Sequence, residues 1–211
     1  MRGALAIVVV CAAICITPVL CGGIVVTALA VTIAGTLPGR TIAACATPVQ
    51  ARAGAAVAAT IDAWIARRMP GSPLEGLGPA MVAGASGSGL DPRLLAAIAL
   101  QETSLGTAGG GPAVYNPFGL GPGLAFPSWG AGIGLAVRTL AAMHAAGAST
   151  IAEIAVHWAP VGAANDPSGL NANWVGGVSA AYAALGGNPA GPVFGRAATS
   201  ACGPVTGARA T

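Results

Sequence analysis

Lysine is absent from the chain, and charge of either sign is scarce: all nine basic residues are arginine, six residues are acidic, and together they make up 7% of 211 residues. With the abundance of alanine, glycine and proline, this pattern matches coding bias from GC-rich DNA. The arginines are scattered, only Arg67 and Arg68 being adjacent, so the basic stripe of a nucleic-acid binder is missing. A formal net charge of +3 suits an anionic surface, or solubility alone. There is no Cys-x-x-Cys pair and no histidine-rich spacing, which argues against a zinc site, and neither metal nor cofactor is expected. Ser104 and Ser128 have no histidine in a recognisable triad arrangement. The nearest approach to a nucleophile elbow, Gly84-Ala85-Ser86-Gly87-Ser88, ends in the wrong residue and lacks the strand-to-helix context. Gly109-Gly110-Gly111 is followed by no lysine, which excludes a phosphate loop. His144 and His157 read as structural residues.

Charge is missing altogether from Gly3 to Gly39, a run dominated by Ile, Val, Leu and Ala. It exceeds the roughly 20 apolar residues that cross a bilayer. Two readings stand: an uncleaved signal-anchor, or a long secretory signal cut at a small-residue site such as Ala28-Leu29-Ala30 or Ala44-Cys45-Ala46. Both put the residues after about 40 outside the cytoplasm, on a membrane anchor or secreted. Cys11, Cys15 and Cys21 fall in this leader and read as small hydrophobes. Cys45 and Cys202 flank the rest, and export would permit a disulfide between them or leave them apart.

Residues 40–53 and 188–211 lack periodicity and read as a flexible linker and tail. Between them, at 54–187, the pattern predicts one mainly α domain. Val57, Ile61, Trp64 and Ile65 share a face of a helix over 54–69 that Pro70 stops. Pro79–Ala85 predicts a short helix. Asp91 is suited to cap the next one, with Pro92 at its first position. Leu95, Ile98 and Glu102 then follow on one face, and Gly106 ends the run. Residues 107–130 are irregular, rich in glycine and proline, and 107–128 is the only stretch with room for short β structure. Further helices are expected at 129–146, at 151–158 behind the capping box Thr150-Ile151-Ala152-Glu153, and from Trp174 to Leu185, closed by Gly186-Gly187.

The acids narrow the chemistry. Asp91 and Glu153 are taken as helix-start residues, and residues 103–152 contain no acid. A pair of carboxylates on one helix and its following loop is therefore impossible, and any partner must come from Asp166 or farther away. Glu102 continues an apolar helical face at a helix end, where burial and the negative end of the helix dipole both favour a neutral carboxylic acid. Such an acid can protonate a departing glycosidic oxygen; an exposed glutamate near a helix end is the plain alternative. Tyr115, Asn116, Phe118, Phe126 and Trp129 cluster in the irregular segment, while Trp158 and Trp174 flank a later loop. Flat rings and amides of this kind suit a carbohydrate groove, in a chain only 4% aromatic, although each ring taken singly suits a core as well.

Gly89-Leu90-Asp91-Pro92-Arg93-Leu94-Leu95-Ala96-Ala97-Ile98-Ala99-Leu100-Gln101-Glu102-Thr103-Ser104-Leu105-Gly106 resembles the opening of the lysozyme-like superfamily, as found in lytic transglycosylases and bacterial glucosaminidases. The helix there ends in Glu-Ser; here Thr103 replaces the serine and keeps a hydroxyl. Asn116-Pro117-Phe118-Gly119-Leu120, Phe126-Pro127-Ser128-Trp129, Thr150–Ala155, Trp158-Ala159-Pro160, Asn165-Asp166-Pro167 and Trp174-Val175 are similar to later motifs of those domains, in order, over residues 76–187. The resemblance implies a lysozyme-like α+β fold. It further implies that Glu102 is the acid, that Asn116 and Phe118 line the groove, and that Trp158 and Asp166 lie across it; Ser104 and Tyr115 are expected to bind substrate with them. The implied substrate is the β-1,4-linked glycan of peptidoglycan. A monomer is expected, held on the membrane through its leader and, from its scattered arginines, without nucleic acid. Glucosaminidases of this type often show a second glutamate in the lobe after the catalytic helix; this chain has none there, so a single-acid route fits better. Two other readings stay open: a catalytically silent wall-binding relative, and a membrane-embedded scaffold or transport component.

Overall fold

The computed structural model describes residues 48–121, 123–164 and 166–195. The leader, its candidate cleavage sites, Cys45 and Cys202, and residues 196–211 lie outside the described residues. Six α-helices form the domain: α1 (Pro48–Arg68), α2 (Gly78–Ala85), α3 (Arg93–Thr103), α4 (Trp129–Ala145), α5 (Ile151–Trp158) and α6 (Trp174–Ala184). Short 3₁₀ turns occupy Gly111–Val114 and Leu170–Asn173. The described residues are mainly helical and contain no strand. Their isolated antiparallel bridge, Leu90 to Phe194, lies outside 107–128, the only stretch to which the sequence confined β structure. No helix among them is long and apolar enough to cross a membrane.

Local chemistry explains most boundaries. Ser128 Oγ accepts from the Ala131 N–H to start α4, and the reciprocal capping box of Thr150 and Glu153 starts α5. Asp91 Oδ1 accepts from the Arg93 N–H at 3.0 Å, so Asp91 caps α3 even though regular geometry begins one residue after the expected Pro92. α1 begins six residues before the expected 54. Its first turns, from Pro48 to Arg52, are exposed, which is why no apolar period marks them. Asp62 on α1 accepts from the Gly78 N–H at 2.7 Å and so caps α2 from a neighbouring helix. A Cβ at Gly78 would collide with the Ala58 carbonyl; only glycine lets these two helices approach so closely.

α3 is the centre of the domain and packs against α1, α2, α4 and α6. Every residue from Leu94 to Ala99 is 0% exposed, so the helix is buried on all sides and not on the single face its Leu95–Ile98 spacing suggested. Ala96, Ala97 and Ala99 fill the remaining faces with side chains small enough for close helix approach. Burying Leu94, Leu95 and Ile98 contributes roughly 1.5–3 kcal/mol each.

Residues 188–195, expected as tail, dock onto the start of this helix. The Asp91 N–H donates to the Val193 carbonyl at 2.9 Å, Gly195 N–H to Gly89, and Val193 N–H to Ser149. Val193 and Phe194 are buried, and the Phe194 ring stacks on His144 with centroids 4.0 Å apart. Phe194→Ala is expected to cost about 3–5 kcal/mol, the range for deleting a buried ring, read by guanidinium unfolding. An unchanged midpoint would mean that this segment is not docked.

Candidate functional site

Glu102 is the penultimate residue of α3, and two rings from a later part of the chain reach its carboxyl. Trp158 closes α5 and Trp174 opens α6, so both stand at the ends of one loop. Their indole N–H groups donate to the same oxygen, Glu102 Oε1, at 2.8 Å and 2.7 Å, with ring centroids 6.5 Å apart. Trp174 is buried and Trp158 half-buried. Burial lifts the carboxyl above its ordinary value, and the Trp174 and Trp158 N–H groups, which favour the anion, hold back part of that rise.

The other wall is the segment Asn116–Leu120. The Thr103 hydroxyl, buried directly after the acid, donates to the Pro117 carbonyl at 2.8 Å and accepts from the Gly106 N–H at 2.9 Å. Asn116 closes a loop on itself: its Oδ1 accepts from the Leu120 N–H at 3.0 Å, and its Nδ2 donates to the Leu120 carbonyl at 2.9 Å. Phe118 is 1% exposed and anchors the segment in the core. Gly119 is thereby held at φ +60°, with its vacant Cβ position 3.2 Å from Glu102 Oε2. Past the acid, Ser104 and Leu105 both adopt left-handed backbone at φ 48° and 57°. Strain of about 1–3 kcal/mol at each turns the chain sharply, so that α3 stops at the carboxyl.

Not every expected residue meets the acid. Tyr115 is exposed, its ring edge-on to Trp129 at 5.4 Å. Ser104 is half-buried, and its carbonyl accepts from the Thr107 hydroxyl. Phe118, being buried, presents no face to a sugar, and the Asn116 amide is engaged within its own loop. Asp166 accepts from the N–H groups of Leu170 and Asn171 at 2.9 Å and 2.8 Å. It thus shapes the 3₁₀ turn that delivers Trp174, and Asn171 Nδ2 braces the same loop on the Pro160 carbonyl. Trp174, read as one of two rings flanking the later loop, reaches the acid itself. Thr103 and Gly119, absent from the expected site, are part of it too; each sits inside a motif quoted above, the one signal that marked those two.

All six acids of the chain lie among the described residues, and five accept from backbone N–H groups: Asp62 from Gly78, Glu75 from Gly71, Asp91 from Arg93, Glu153 from Ser149 and Thr150, and Asp166 from Leu170 and Asn171. Glu102 is the exception. Asp91 makes the contrast plain. Burial pushes its carboxyl up, but the Arg93 guanidinium, the Tyr182 hydroxyl and the Arg93 amide outweigh that and hold it below the ordinary range. A separate groove of about 490 Å³, lined by Arg138, Thr139, Ala142, Met143, Ala146 and His157, contains no acid and none of these rings.

Because the folded Glu102 carboxyl titrates above its unfolded value, it contributes stability that is full below the ordinary 4.5 and is lost as pH rises through the folded value. The stability of the parent relative to Glu102→Gln is therefore expected to fall from pH 4 towards pH 8 in denaturant titrations. A difference independent of pH would show that the carboxyl is not desolvated. Compared with known proteins, the chain matches no family model and no curated protein.

Proposed function

We propose that this domain cleaves the glycan strands of peptidoglycan at β-1,4 bonds between N-acetylated amino sugars, with Glu102 as general acid and then base. One observation carries the reading: a carboxyl at the end of a buried helix, held by neutral donors instead of backbone amides or cations, whose second oxygen accepts no hydrogen bond among the described residues. Such a group keeps its proton closer to neutral pH than a solvated glutamate does, as protonation of a leaving glycosidic oxygen requires. Resemblance to lysozyme-like domains is supported by a central helix that ends in the acid and by an irregular lobe folded back against it. The leader would hold the domain at the outer face of the membrane, or release it if cut.

The five other acids are engaged in caps and turns, which supports a single-acid route. In that route the positive charge developing on the sugar is quenched by the substrate's own N-acetyl oxygen or hydroxyl, or by water. The same observation favours a second reading, a silent relative that binds the wall without cutting it.

Purified sacculi separate the two. Release of fragments with anhydro-muramyl ends identifies a transglycosylase, and reducing N-acetylglucosamine ends identify a glucosaminidase. Binding without release identifies a silent relative. Glu102→Gln is expected to lower the cleavage rate by about 10²–10⁴-fold, and parental cleavage would fail the assignment. Since the acid works protonated, cleavage by the parent is expected to decline as pH rises through a midpoint above 4.5, the ordinary value for glutamate.

A further inference from the structure

We infer that Trp158 and Trp174 are a positioning pair that saturates Glu102 Oε1 and so assigns the transferable proton to Oε2, the oxygen on the side of Gly119. The catalytic part of this inference rests on the cleavage reading above; the assignment of the proton rests on geometry alone. A carboxyl oxygen offers two lone pairs in its plane, and both on Oε1 are taken, by N–H donors at 2.8 Å and 2.7 Å. A proton on Oε1 would expel one of them and leave a half-buried or buried indole N–H unpaired, which is unfavourable. Oε2 accepts no hydrogen bond among the described residues.

The approach to Oε2 passes residue 119, which carries no side chain: a Cβ there would lie 3.2 Å from Oε2 and 4.0 Å from Cδ, close enough to crowd whatever approaches that oxygen. A glycosidic oxygen that reaches Oε2 takes the proton from it as its bond to the anomeric carbon breaks, and the bonding electron pair leaves with that oxygen. The carboxylate that remains keeps both indole donors on Oε1. Oε2 then accepts the proton of the hydroxyl or water that attacks the anomeric carbon, which restores the acid. Because indoles are neutral, they steady the anion without holding it ionised as a guanidinium would.

Four tryptophans in the full chain allow a direct test by indole ¹⁵N–¹H spectroscopy. The Trp158 and Trp174 signals are expected to move together with a single midpoint above 4.5, and to stop moving in Glu102→Gln. In Trp158→Phe, the Trp174 signal is expected to titrate at a higher midpoint, and the pH profile of kcat/KM on sacculi to move the same way, with KM unchanged. Gly119→Ala is expected to slow sacculus digestion at least tenfold while both indole signals titrate as in the parent. Indole signals that do not titrate, or that do so with separate midpoints, would overturn the inference. An unmoved midpoint in Trp158→Phe would do the same, as would parental digestion by Gly119→Ala. If the signals behave as expected but no fragments are released by the parent chain, the cleavage reading fails and the proton assignment stands.

Discussion

Desolvation of one carboxyl is the constraint around which this domain is arranged. A buried carboxylate needs either a charged partner or hydrogen bonds, and without them it stays protonated. At Glu102 the answer lies between the extremes: two indole N–H groups on one oxygen, and burial by aromatic and glycine-lined walls. Asp91, at the opposite end of the same helix, receives an arginine, a tyrosine hydroxyl and a backbone amide. One helix thus ends in two carboxyls of opposite character. Asp91 is ionised to hold the fold, and Glu102 is kept from ionising easily.

The supporting residues follow from that constraint. Thr103, Asn116 and Phe118 make no hydrogen bond to the acid among the described residues, yet they fix the segment that faces it. Asp166 does the same for the opposite wall by shaping the turn before Trp174. Polar groups that a sequence reader would assign to substrate are spent on holding backbone. A half-buried carboxyl needs rigid surroundings, because a loose wall would admit water and lose the desolvation.

Features of the fold that depend on neighbours a few residues apart were legible in the sequence. The capping box at Thr150 and Glu153, the cap at Asp91, and Glu102 at the end of an apolar helix each follow from local spacing. What was not legible depends on distance along the chain or on residues without a pattern. The all-round burial of α3 was hidden because alanines at 96, 97 and 99 carry no periodic signal. The exposed first turns of α1 have no apolar face to detect. Residues 188–195 dock through three backbone hydrogen bonds and two apolar side chains, too few for any periodicity. Trp174 looked like a ring beside a loop, since nothing local reveals that its N–H reaches a carboxyl 72 positions earlier.

That separation has a consequence for biogenesis. The two indoles lie 56 and 72 positions after the glutamate, and the segment that pins the start of α3 lies later still. Closing such long loops is slow compared with forming a helix. A nascent chain that emerges N-terminus first therefore carries Glu102 as an ordinary solvated, ionised side chain until Trp174 has followed it out. The carboxyl is desolvated late, by segments made well after it, and a nascent chain that stops short of Trp174 keeps it in water.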